Sequence, residues 1–357
     1  MRLYLIGAGV IARTHAEASS RLDVPVELRV ADPSPAALDD FIAAFPDAVA
    51  FPDAGEMLTS EPARGDDIVI VATPPFAHRS PAIAALDSGR HVLCEKPLAM
   101  TLSEAGEMLD AAERNGRLLG ACGTRFIGLP HTEAVKAVLA SGALGELYHL
   151  TFVNRWSRSR SGIEYQPASR WFLDSSLSGG GVLMDWGPYD LSTLDDIFSP
   201  DAVTITDAWT SRVVTGADPE GVTFDVETQV GAGMVLHTAS GDIRVSYGRS
   251  SASHGDDFVR GEIEGTLGAL RWTPFDSHAP VFLRRDVDGV DMEETVEPPE
   301  RAPYSIFERP LVFFADAVLG RPSRAVTGRR ALDQFRWLRA VYECERTAAQ
   351  QRVELSR

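Results

Sequence analysis

A glycine-rich turn near the start of the chain has the spacing of a phosphate-binding loop. Residues 7–12 read G-A-G-V-I-A, directly after a short apolar run and before a helix-forming segment. A G-x-G-x-x-G/A loop must lie at this position. Gly7 permits a tight turn, and Gly9 lets the backbone approach a pyrophosphate. Because the N–H groups at a helix N-terminus bind phosphate, we predict that Gly7, Gly9, Val10 and Ile11 bind a dinucleotide. The alternative is a glycine-rich turn in another kind of α/β protein.

A carboxylate at the end of the second apolar run bears on the choice of cofactor. Asp32 follows the loop by about 20 residues, where a carboxylate accepts hydrogen bonds from the hydroxyls of the adenosine ribose. The same charge would repel a 2′-phosphate, and no arginine stands immediately after it. Ser34 is able to hydrogen-bond such a phosphate. The sequence therefore favours NAD and leaves NADP as the alternative.

Polar residues also follow two later apolar runs. Thr73 and Pro74, with His78 close behind, come after one run, and Glu95 and Lys96 come after the next. Because ligands of an open α/β sheet bind beyond the carboxyl ends of its strands, we predict that these five residues bind the cofactor. A proline after the lysine would hold it rigidly, which suits a group that points at a substrate. The alternative for the Glu-Lys pair is an ion pair that only caps a strand.

The elements that must position these residues alternate between strands and helices. Apolar runs at 3–6, 26–31, 68–72, 91–94 and 118–122 are short and uninterrupted, as in buried parallel strands. The segments between them carry helix-forming residues, and Ser103 and Gly116 are a plausible cap and stop for one helix. This order predicts an α/β fold with a doubly wound parallel sheet. We assign residues 1–123 to a Rossmann dinucleotide-binding domain.

The second part of the chain has a different pattern. After a helix at 130–141, a region of alternating apolar and polar residues begins near Gly145, and 223–230 is its strictest example. Such alternation predicts a large, mostly antiparallel sheet with one covered face. A helix is expected at 179–198. We assign 124–325 to an α+β substrate and oligomerisation domain, and 326–357 to a C-terminal helix that packs back on the nucleotide domain.

Composition excludes several classes of protein. The 357 residues are 44% hydrophobic and 24% charged, with 34 Lys+Arg against 51 Asp+Glu and a formal net charge of -17. A disulfide miniprotein and a disordered tail are excluded. The acidic balance argues against a nucleic-acid partner, because phosphate neutralisation needs a basic surface. The three cysteines stand far apart, so we predict neither a metal site nor disulfides.

The N-terminal segment and the lengths of the apolar runs bear on where in the cell the protein is found. The first twelve residues loosely imitate a signal peptide, but two glycines interrupt the apolar run and a helix-forming segment replaces the cleavage site. No run of about 18 apolar residues exists, so no membrane partner is expected. We predict a cytoplasmic protein.

Four segments together resemble a known family. They read GAGVIARTH at 7–15, ATPPFAH at 72–78, EKPLAMTLSEA at 95–105 and GGGVLMDWGPYDL at 179–191. In this order and spacing they resemble the glucose-fructose oxidoreductase, inositol dehydrogenase and MocA (Gfo/Idh/MocA) family of nicotinamide-dependent oxidoreductases. The resemblance implies that Lys96, within the EKP motif, lies at the nicotinamide and contributes to proton transfer and substrate binding.

The fourth segment departs from the commonest family pattern. Members commonly read D-x-G-x-H-x-x-D with a catalytic histidine, whereas this chain has Tyr189 at the histidine position and Ser192 at the final aspartate. A minority of members, including glucose-fructose oxidoreductase, dihydrodiol dehydrogenase and some xylose dehydrogenases, carry tyrosine there. The resemblance therefore implies a catalytic tyrosine and makes a cyclitol dehydrogenase less expected.

The chemistry of these residue types gives each a role. Oxidising an alcohol requires a base for the hydroxyl proton while hydride leaves the carbon. Tyr189 is the predicted base, and because a phenol has an ordinary pKa near 10, a cation must stabilise its anion. Lys96 is the candidate cation. Asp185, four residues earlier on the same predicted helix, would orient a substrate hydroxyl.

A dense group of donors precedes that helix. Asn154, Arg155, Arg158, Arg170 and Trp171 lie between 154 and 171. Trp171 with its neighbour resembles a family pair near the substrate, and we predict that Trp171 and Arg155 bind substrate, with a surface position as the alternative for Arg155 and Arg158. Such donors suit a hydroxyl-rich ligand. Separately, Arg125, which resembles a family residue beside the cofactor, is predicted to bind the cofactor.

Three functions remain open at this stage. The first is an NAD-dependent dehydrogenase or reductase acting on a hydroxyl or carbonyl carbon of a carbohydrate. The second is an NADP-dependent keto-reductase for nucleotide-linked deoxysugars, and the third is a non-catalytic, cofactor-sensing regulator. The intact pair Lys96 and Tyr189 argues against the third. The resemblance also implies a homodimer or homotetramer assembled through the C-terminal sheet.

Overall fold

The computed structural model describes residues 1–157, 170–212, 221, 223–251, 253–298 and 303–356. Its backbone contacts divide the chain into two units, each with its own sheet. The first unit comprises Met1–Arg125, Leu177–Gly179 and Tyr304–Phe335, and the second comprises Phe126–Ser176, Gly180–Pro303 and Arg336–Arg357.

The first unit alternates strands and helices, as predicted. Its six strands form one sheet in the order β3-β2-β1-β4-β5-β6, in which every pair is parallel. This is the strand order of a dinucleotide-binding fold. The elements are β1 (Arg2–Ile6), α1 (Val10–Ala18), β2 (Glu27–Ala31), α2 (Pro35–Ala44), β3 (Val49–Phe51), α3 (Ala54–Thr59), β4 (Ile68–Val71), α4 (Arg79–Asp87), β5 (His91–Cys94), α5 (Leu102–Arg114) and β6 (Leu119–Ala121).

Apolar side chains on one face of the sheet form a core cluster of this unit with those of its helices. Leu3 and Leu5 of β1 pack with Phe41 of α2. Leu311 and Phe314 belong to the same cluster and come from a helix at 309–318, far along the chain. The predicted strands are confirmed, whereas β3 was missed because only three residues, two of them exposed, form it.

The second unit contains a nine-stranded sheet that is antiparallel except between two central strands. The order is β14-β13-β12-β11-β7-β10-β9-β8-β15, and β7 runs parallel to β10. The predicted mostly antiparallel sheet is confirmed. Its elements are α6 (Pro130–Ala140), β7 (Leu147–Arg155), α8 (Val182–Phe198), β8 (Ala202–Ser211), β9 (Gln229–Thr238), β10 (Gly241–Ser250), β11 (Phe258–Gly265), β12 (Gly268–Trp272), β13 (Val281–Val287), β14 (Val290–Val296) and β15 (Gln351–Glu354).

Three further helices lie near the points where the chain passes from one unit to the other. Two of them, α7 (Ser175–Ser178) and α10 (Gly328–Thr347), have residues in both units, and α9 (Arg309–Val318) belongs to the first unit. The expectation that 304–325 belongs with the second domain is wrong, because its contacts lie in the first unit. The segment 326–357 is also not helical throughout: after α10 the chain forms β15, which pairs with β8.

Two local expectations need correction. The segment 223–228 is not a strand, and β9 begins only at Gln229. The reason is that Asp225 and Glu227 use their carboxylates to bind the starts of α7 and α8. Similarly, the helix expected from 179 begins at Val182, because Gly179 and Gly180 have φ values of 80° and 152°. No helix among the described residues is long and apolar enough to cross a membrane.

Candidate active site

The glycine loop leaves the start of α1 open to a ligand. Gly7 has a φ of 101°, and a side chain there would meet the carbonyl oxygen of Ala72 at 2.9 Å, so only glycine fits. Gly9 is the N-cap of α1 and supplies no side-chain cap. A Cβ on Gly9 would meet nothing within 4 Å, and Val10 is 63% exposed. Uncapped N–H groups beside open space fit a pyrophosphate.

Asp32 stands directly beyond β2 and braces this loop. Its Oδ2 accepts a hydrogen bond from Ala8 N at 2.9 Å, and its Oδ1 accepts one from Ser34 N at 2.8 Å. Each carboxylate oxygen retains acceptor capacity after one such bond. The position therefore remains compatible with a contact to ribose hydroxyls, which stays a prediction.

The polar residues beyond β4 and β5 lie at the same edge as the loop, because all six strands run parallel. Thr73 and Pro74 follow β4 and are partly exposed. His78 has a different place from the one predicted: it is completely buried, with Nε2 at 2.8 Å from Thr73 O and Nδ1 at 3.0 Å from Pro97 O. Burial lowers the pKa of its imidazole. His78 therefore ties two loops together instead of presenting its ring to a ligand.

Glu95 is the centre of a buried charge network. Its Oε1 lies 2.9 Å from His15 Nε2 and accepts from Arg125 Nη2 at 3.3 Å, while Oε2 accepts from Lys96 N at 3.1 Å. Burial alone would raise the pKa of Glu95, but Arg125 and His15 outweigh it and hold that pKa well below its usual range. Glu95 therefore fixes the backbone at Lys96, and both of its carboxylate oxygens are engaged by protein groups.

Cys122 joins His15 and Glu95 in a group with metal-ligating side chains, which the sequence spacing did not reveal. Its Sγ lies 3.9 Å from His15 Nε2, and burial raises the pKa of this thiol. Glu95 already pairs with the Arg125 guanidinium, which disfavours a second cation at the same oxygen. We interpret the group as an ion-pair network that supports the Lys96 turn.

Arg125 and Lys96 occupy neighbouring strand ends of the first unit. Lys96 follows β5 and is partly exposed, and Arg125 lies just after β6. The Arg125 guanidinium carbon lies 5.1 Å from the centroid of the Phe307 ring. The predicted cofactor residues therefore converge on one sheet edge, although Glu95, His78 and Arg125 brace it more than they face solvent.

Asp185 and Tyr189 both lie on α8, one helical turn apart as predicted. Asp185 is half-buried and lines an open cleft of the second unit together with Glu227, Thr228 and Ser251. Tyr189 is buried. Its ring packs edge-on against Phe126 and Trp186, with centroid distances of 5.2 and 5.6 Å. These two rings hold the phenol in one orientation.

The start of α8 is capped from outside the helix. Glu227 Oε2 accepts from Gly181 N at 2.8 Å, and Glu227 Oε1 accepts from Leu183 N at 3.0 Å and from Tyr342 Oη at 2.7 Å. A Cβ on Gly181 would meet the Glu227 carbonyl oxygen at 1.8 Å, so the glycine allows this approach. Burial raises the pKa of Glu227 against these hydrogen bonds.

A buried ion pair fixes the middle of the same helix. Arg249 of β10 donates through Nε to Asp190 Oδ2 at 2.9 Å and through Nη2 to Oδ1, and Tyr247 Oη donates to Oδ2 at 2.8 Å. All three side chains are buried. The sequence did not predict roles for Asp190, Arg249 and Glu227. The one signal in it was Asp190, an acid directly after Tyr189 to which no role was assigned.

Two predicted substrate residues of the second unit, Arg155 and Trp171, do not line the cleft beside Asp185. Arg155 ends β7 on the exposed face, where its Nε donates to Asp256 O at 3.1 Å and its guanidinium lies over Phe258. Trp171 stacks on Phe172 with centroids 3.9 Å apart, and only Phe172 lines the cleft. Arg158 lies outside the described residues. Because side chains alternate between the two faces of a strand, Arg155 points to the exposed face of the sheet and not to the face that carries α8.

Two family models match the chain in succession. Residues 1–122 match the model described as "Oxidoreductase family, NAD-binding Rossmann fold", and residues 132–271 match the GFO/IDH/MocA C-terminal domain. The chain belongs to the GFO/IDH/MocA family of oxidoreductases. The predicted family, enzyme class and NAD cofactor are thereby confirmed.

Individual relatives of this GFO/IDH/MocA chain act on carbohydrates by name. It is 29% identical to 1,5-anhydro-D-fructose reductase of Ensifer adhaerens over 73% of this chain and 72% of that protein. It is 32% identical to D-glucoside 3-dehydrogenase of Escherichia coli over 52% of this chain and 51% of that protein.

Solved structures share the fold over nearly the whole length. Levoglucosan dehydrogenase in complex with NADH and L-sorbose superposes with a TM-score of 0.77 at 19% identity, covering 99% of each chain. The WlbA dehydrogenase of Bordetella pertussis, in complex with NADH and UDP-GlcNAcA, gives 0.76 at 23% identity, covering 100% of this chain and 99% of that one. At such identities these likenesses establish the fold alone.

Proposed function

We propose that this oxidoreductase transfers hydride between NAD and a hydroxyl or carbonyl carbon of a sugar or sugar derivative. The observation that carries the proposal is the pair on α8, where Asp185 lines a cleft and Tyr189 follows one turn later. An acid that faces an open cleft beside a phenol suits a ligand with several hydroxyl groups. The named sugar enzymes among its relatives support the same substrate class.

The cofactor would be held at the carboxyl edge of the parallel sheet. The α1 N-terminus at Gly9 and Val10 would bind the pyrophosphate, Asp32 the ribose, and Thr73, Pro74 and Lys96 would line the nicotinamide end. When bound, the nicotinamide accepts or donates the hydride. The carboxylate of Asp32 favours NAD over NADP, because it would repel a 2′-phosphate.

Protein groups would handle the proton. In the oxidising direction Tyr189 Oη takes the proton of the reacting hydroxyl, and the Lys96 ammonium stabilises the resulting phenolate. In the reducing direction the protonated phenol returns that proton to the developing alkoxide. Asp185 accepts a hydrogen bond from a neighbouring substrate hydroxyl and so orients the ring.

A second candidate is a keto-reductase for nucleotide-linked sugars. It is favoured by the solved WlbA complex with UDP-GlcNAcA and by a relative named as a putative UDP-kanosamine synthase subunit, 35% identical over 40% of this chain. A cofactor-sensing regulator without turnover is the third candidate. It is disfavoured because Lys96 and Tyr189 are both present.

Assembly and location belong to the same proposal. The face of the nine-stranded sheet that carries Trp209 and Phe258 exposes both rings, and we propose that it forms a homodimer or homotetramer interface. Sedimentation of the purified protein should then exceed the mass of a monomer, and a monomer at micromolar concentration would contradict this. The free cysteines Cys94, Cys122 and Cys344 are compatible with the predicted cytoplasmic location.

The decisive experiment is a substrate screen. Purified protein would be offered aldoses, anhydrosugars, cyclitols and sugar nucleotides with NAD and with NADP, in both directions, while nicotinamide absorbance is followed. We expect turnover with at least one free sugar and a preference for NAD. Turnover only with sugar nucleotides and NADPH would favour the second candidate. Tight NADH binding without turnover across the panel would support the regulator.

A further inference from the structure

An amide in the second unit is buried without a visible partner. Asn154 of β7 is 1% exposed, and neither its Nδ2 nor its Oδ1 has a hydrogen-bond partner among the described residues. Leaving a buried polar group unpaired costs about 1–3 kcal/mol, and native structures pair the great majority of such groups. The partner of this carboxamide therefore has to come from elsewhere.

The strand register shows which face of the sheet Asn154 occupies. Asn154 is the direct neighbour of Arg249 on β10, and neighbouring residues across two strands point to the same face. Arg249 forms the buried ion pair with Asp190 of α8. Asn154 thus lies on the face that α8 covers, whereas the adjacent Arg155 lies on the exposed face.

The position along the strand places Asn154 near the cleft. Because β7 and β10 are parallel, they end at the same edge, where Arg155 pairs with Ser250. The next residue, Ser251, lines the cleft together with Asp185. Asn154 is therefore one strand away from the cleft-lining end of β10, on the face that also carries α8.

Among the described residues, the neighbours of Asn154 on β10 and β11 offer it no free polar group. The neighbour of Asn154 on β11 is Val259, which is apolar. Arg249 directs two of its nitrogens to Asp190, and Ser251 Oγ donates to Thr228 O. A carboxamide with two donors and an acceptor is left next to groups that are apolar or already engaged.

We propose that Asn154 is a specificity-determining residue that hydrogen-bonds one hydroxyl group of the sugar. This inference rests on the proposed function and adds the group that selects among sugars. A neutral carboxamide both donates to and accepts from a hydroxyl, whereas it would not balance a charged substituent. Sites built around such a bond reject an analogue without the hydroxyl strongly, because the amide is then unpaired.

The test compares Asn154→Leu, which is similar in size but apolar, with the wild type. As a matched control, Val153→Thr changes the adjacent residue on the other face of β7. Each protein would be assayed with the best sugar from the screen and with its monodeoxy analogues. For the wild type, we expect removal of one particular hydroxyl to lower kcat/KM by about 10- to 100-fold. For Asn154→Leu, the parent sugar and that analogue should be equal, while Val153→Thr behaves as the wild type.

A second measurement does not depend on turnover. If the amide is unpaired without ligand, Asn154→Leu should unfold at the same temperature as the wild type or a higher one. The proposal is overturned if the variant keeps the wild-type discrimination between the parent sugar and every analogue, or if it lowers kcat/KM equally for all of them and also unfolds at a lower temperature. Absence of sugar turnover by the wild type itself would instead contradict the proposed function, and the same comparison would move to whichever alcohol the enzyme oxidises.

Discussion

Lys96 and Tyr189 are each held in place by neighbouring residues that have no predicted role in proton transfer. Lys96 is fixed through its backbone by Glu95, which is in turn held by His15 and Arg125. Tyr189 is fixed by two aromatic rings. Such rigid placement matters because proton transfer depends on hydrogen-bond reach between the groups involved.

Removing either reacting group should affect catalysis more than cofactor binding. Lys96→Met and Tyr189→Phe should each lower kcat/KM by about 10²- to 10⁴-fold, since a proton donor or its stabilising cation is lost. NADH affinity, measured by fluorescence titration, should remain within a few-fold of the wild type. The matched control for the tyrosine is Tyr148→Phe, whose exposed hydroxyl donates to Glu264 on the sheet. Near wild-type rates in both active-site variants would rule out the assignment.

Asp32 gives a prediction about cofactor choice. Asp32→Ala removes the proposed acceptor for ribose hydroxyls and also the brace on Ala8 N, so affinity for both cofactors should fall. NAD should lose about 10-fold, and NADP should lose less because repulsion of its phosphate disappears. Asp39→Ala, in an exposed position on α2, serves as control. The ratio of the two dissociation constants is the measurement, and an unchanged ratio would argue against a ribose contact.

At the scale of elements, α8 is positioned by groups that lie on other elements. Its start is capped by Glu227 and its middle is tied to β10 by Asp190 and Arg249. The helix therefore presents Asp185 and Tyr189 only when the strands around it are assembled. Removing one partner of a buried ion pair like this one typically costs about 3–5 kcal/mol.

Replacing the external cap should disturb both stability and catalysis. Glu227→Gln keeps the shape but loses one acceptor oxygen, so an N–H of Gly181 or Leu183 would be left unpaired. We expect a loss of about 1–3 kcal/mol in the free energy of unfolding and a lower kcat with the sugar substrate. Tyr342→Phe removes one hydroxyl bond to the same carboxylate and should have a smaller effect. If Glu227→Gln unfolds like the wild type, the cap does not stabilise α8.

At the scale of the whole molecule, acidic residues outnumber basic ones, and some of them form partly buried ion pairs. Many salt bridges among the described residues join two exposed side chains, and such pairs contribute little. Glu61 differs, because it accepts from Arg29 Nε at 2.6 Å and from Tyr4 Oη at 3.0 Å, and it also pairs with Arg2. Burial opposes ionisation, but these partners outweigh it and lower the pKa of Glu61 to about 2.

This shift predicts the direction of a pH effect. A carboxylate whose pKa is lower in the folded state stabilises the protein above its unfolded pKa, and that contribution is lost as the pH falls through the folded value. Glu61→Gln should therefore be less stable than the wild type by about 2 kcal/mol at pH 7. The difference should shrink between about pH 5 and pH 2. Urea unfolding across this range tests it, with exposed Glu17→Gln as control, and a difference independent of pH would contradict the assignment.

The residues that are close in sequence were predictable from it. The glycine loop, the acids and lysine after each strand, and the helical spacing of Asp185 and Tyr189 are local patterns. Parallel strands then bring their carboxyl ends to one edge, so the predicted cofactor residues of the first unit lie at one edge of the sheet. The family resemblance, carried by four short segments, was confirmed by models that match most of the chain.

Only the tertiary structure decided which of two adjacent residues lies on the sheet face that α8 covers. Asn154 and Arg155 both belong to the donor group in the sequence, where only Arg155 was predicted to bind substrate, and a shift of one residue along a strand reverses the face. The register of β7 against β10 placed Asn154 on the face that carries α8 and Arg155 on the opposite, exposed face. The same holds for Glu227 and for the group of His15, Glu95 and Cys122. Their partners are distant in sequence, and their contacts exist only because the chain folds.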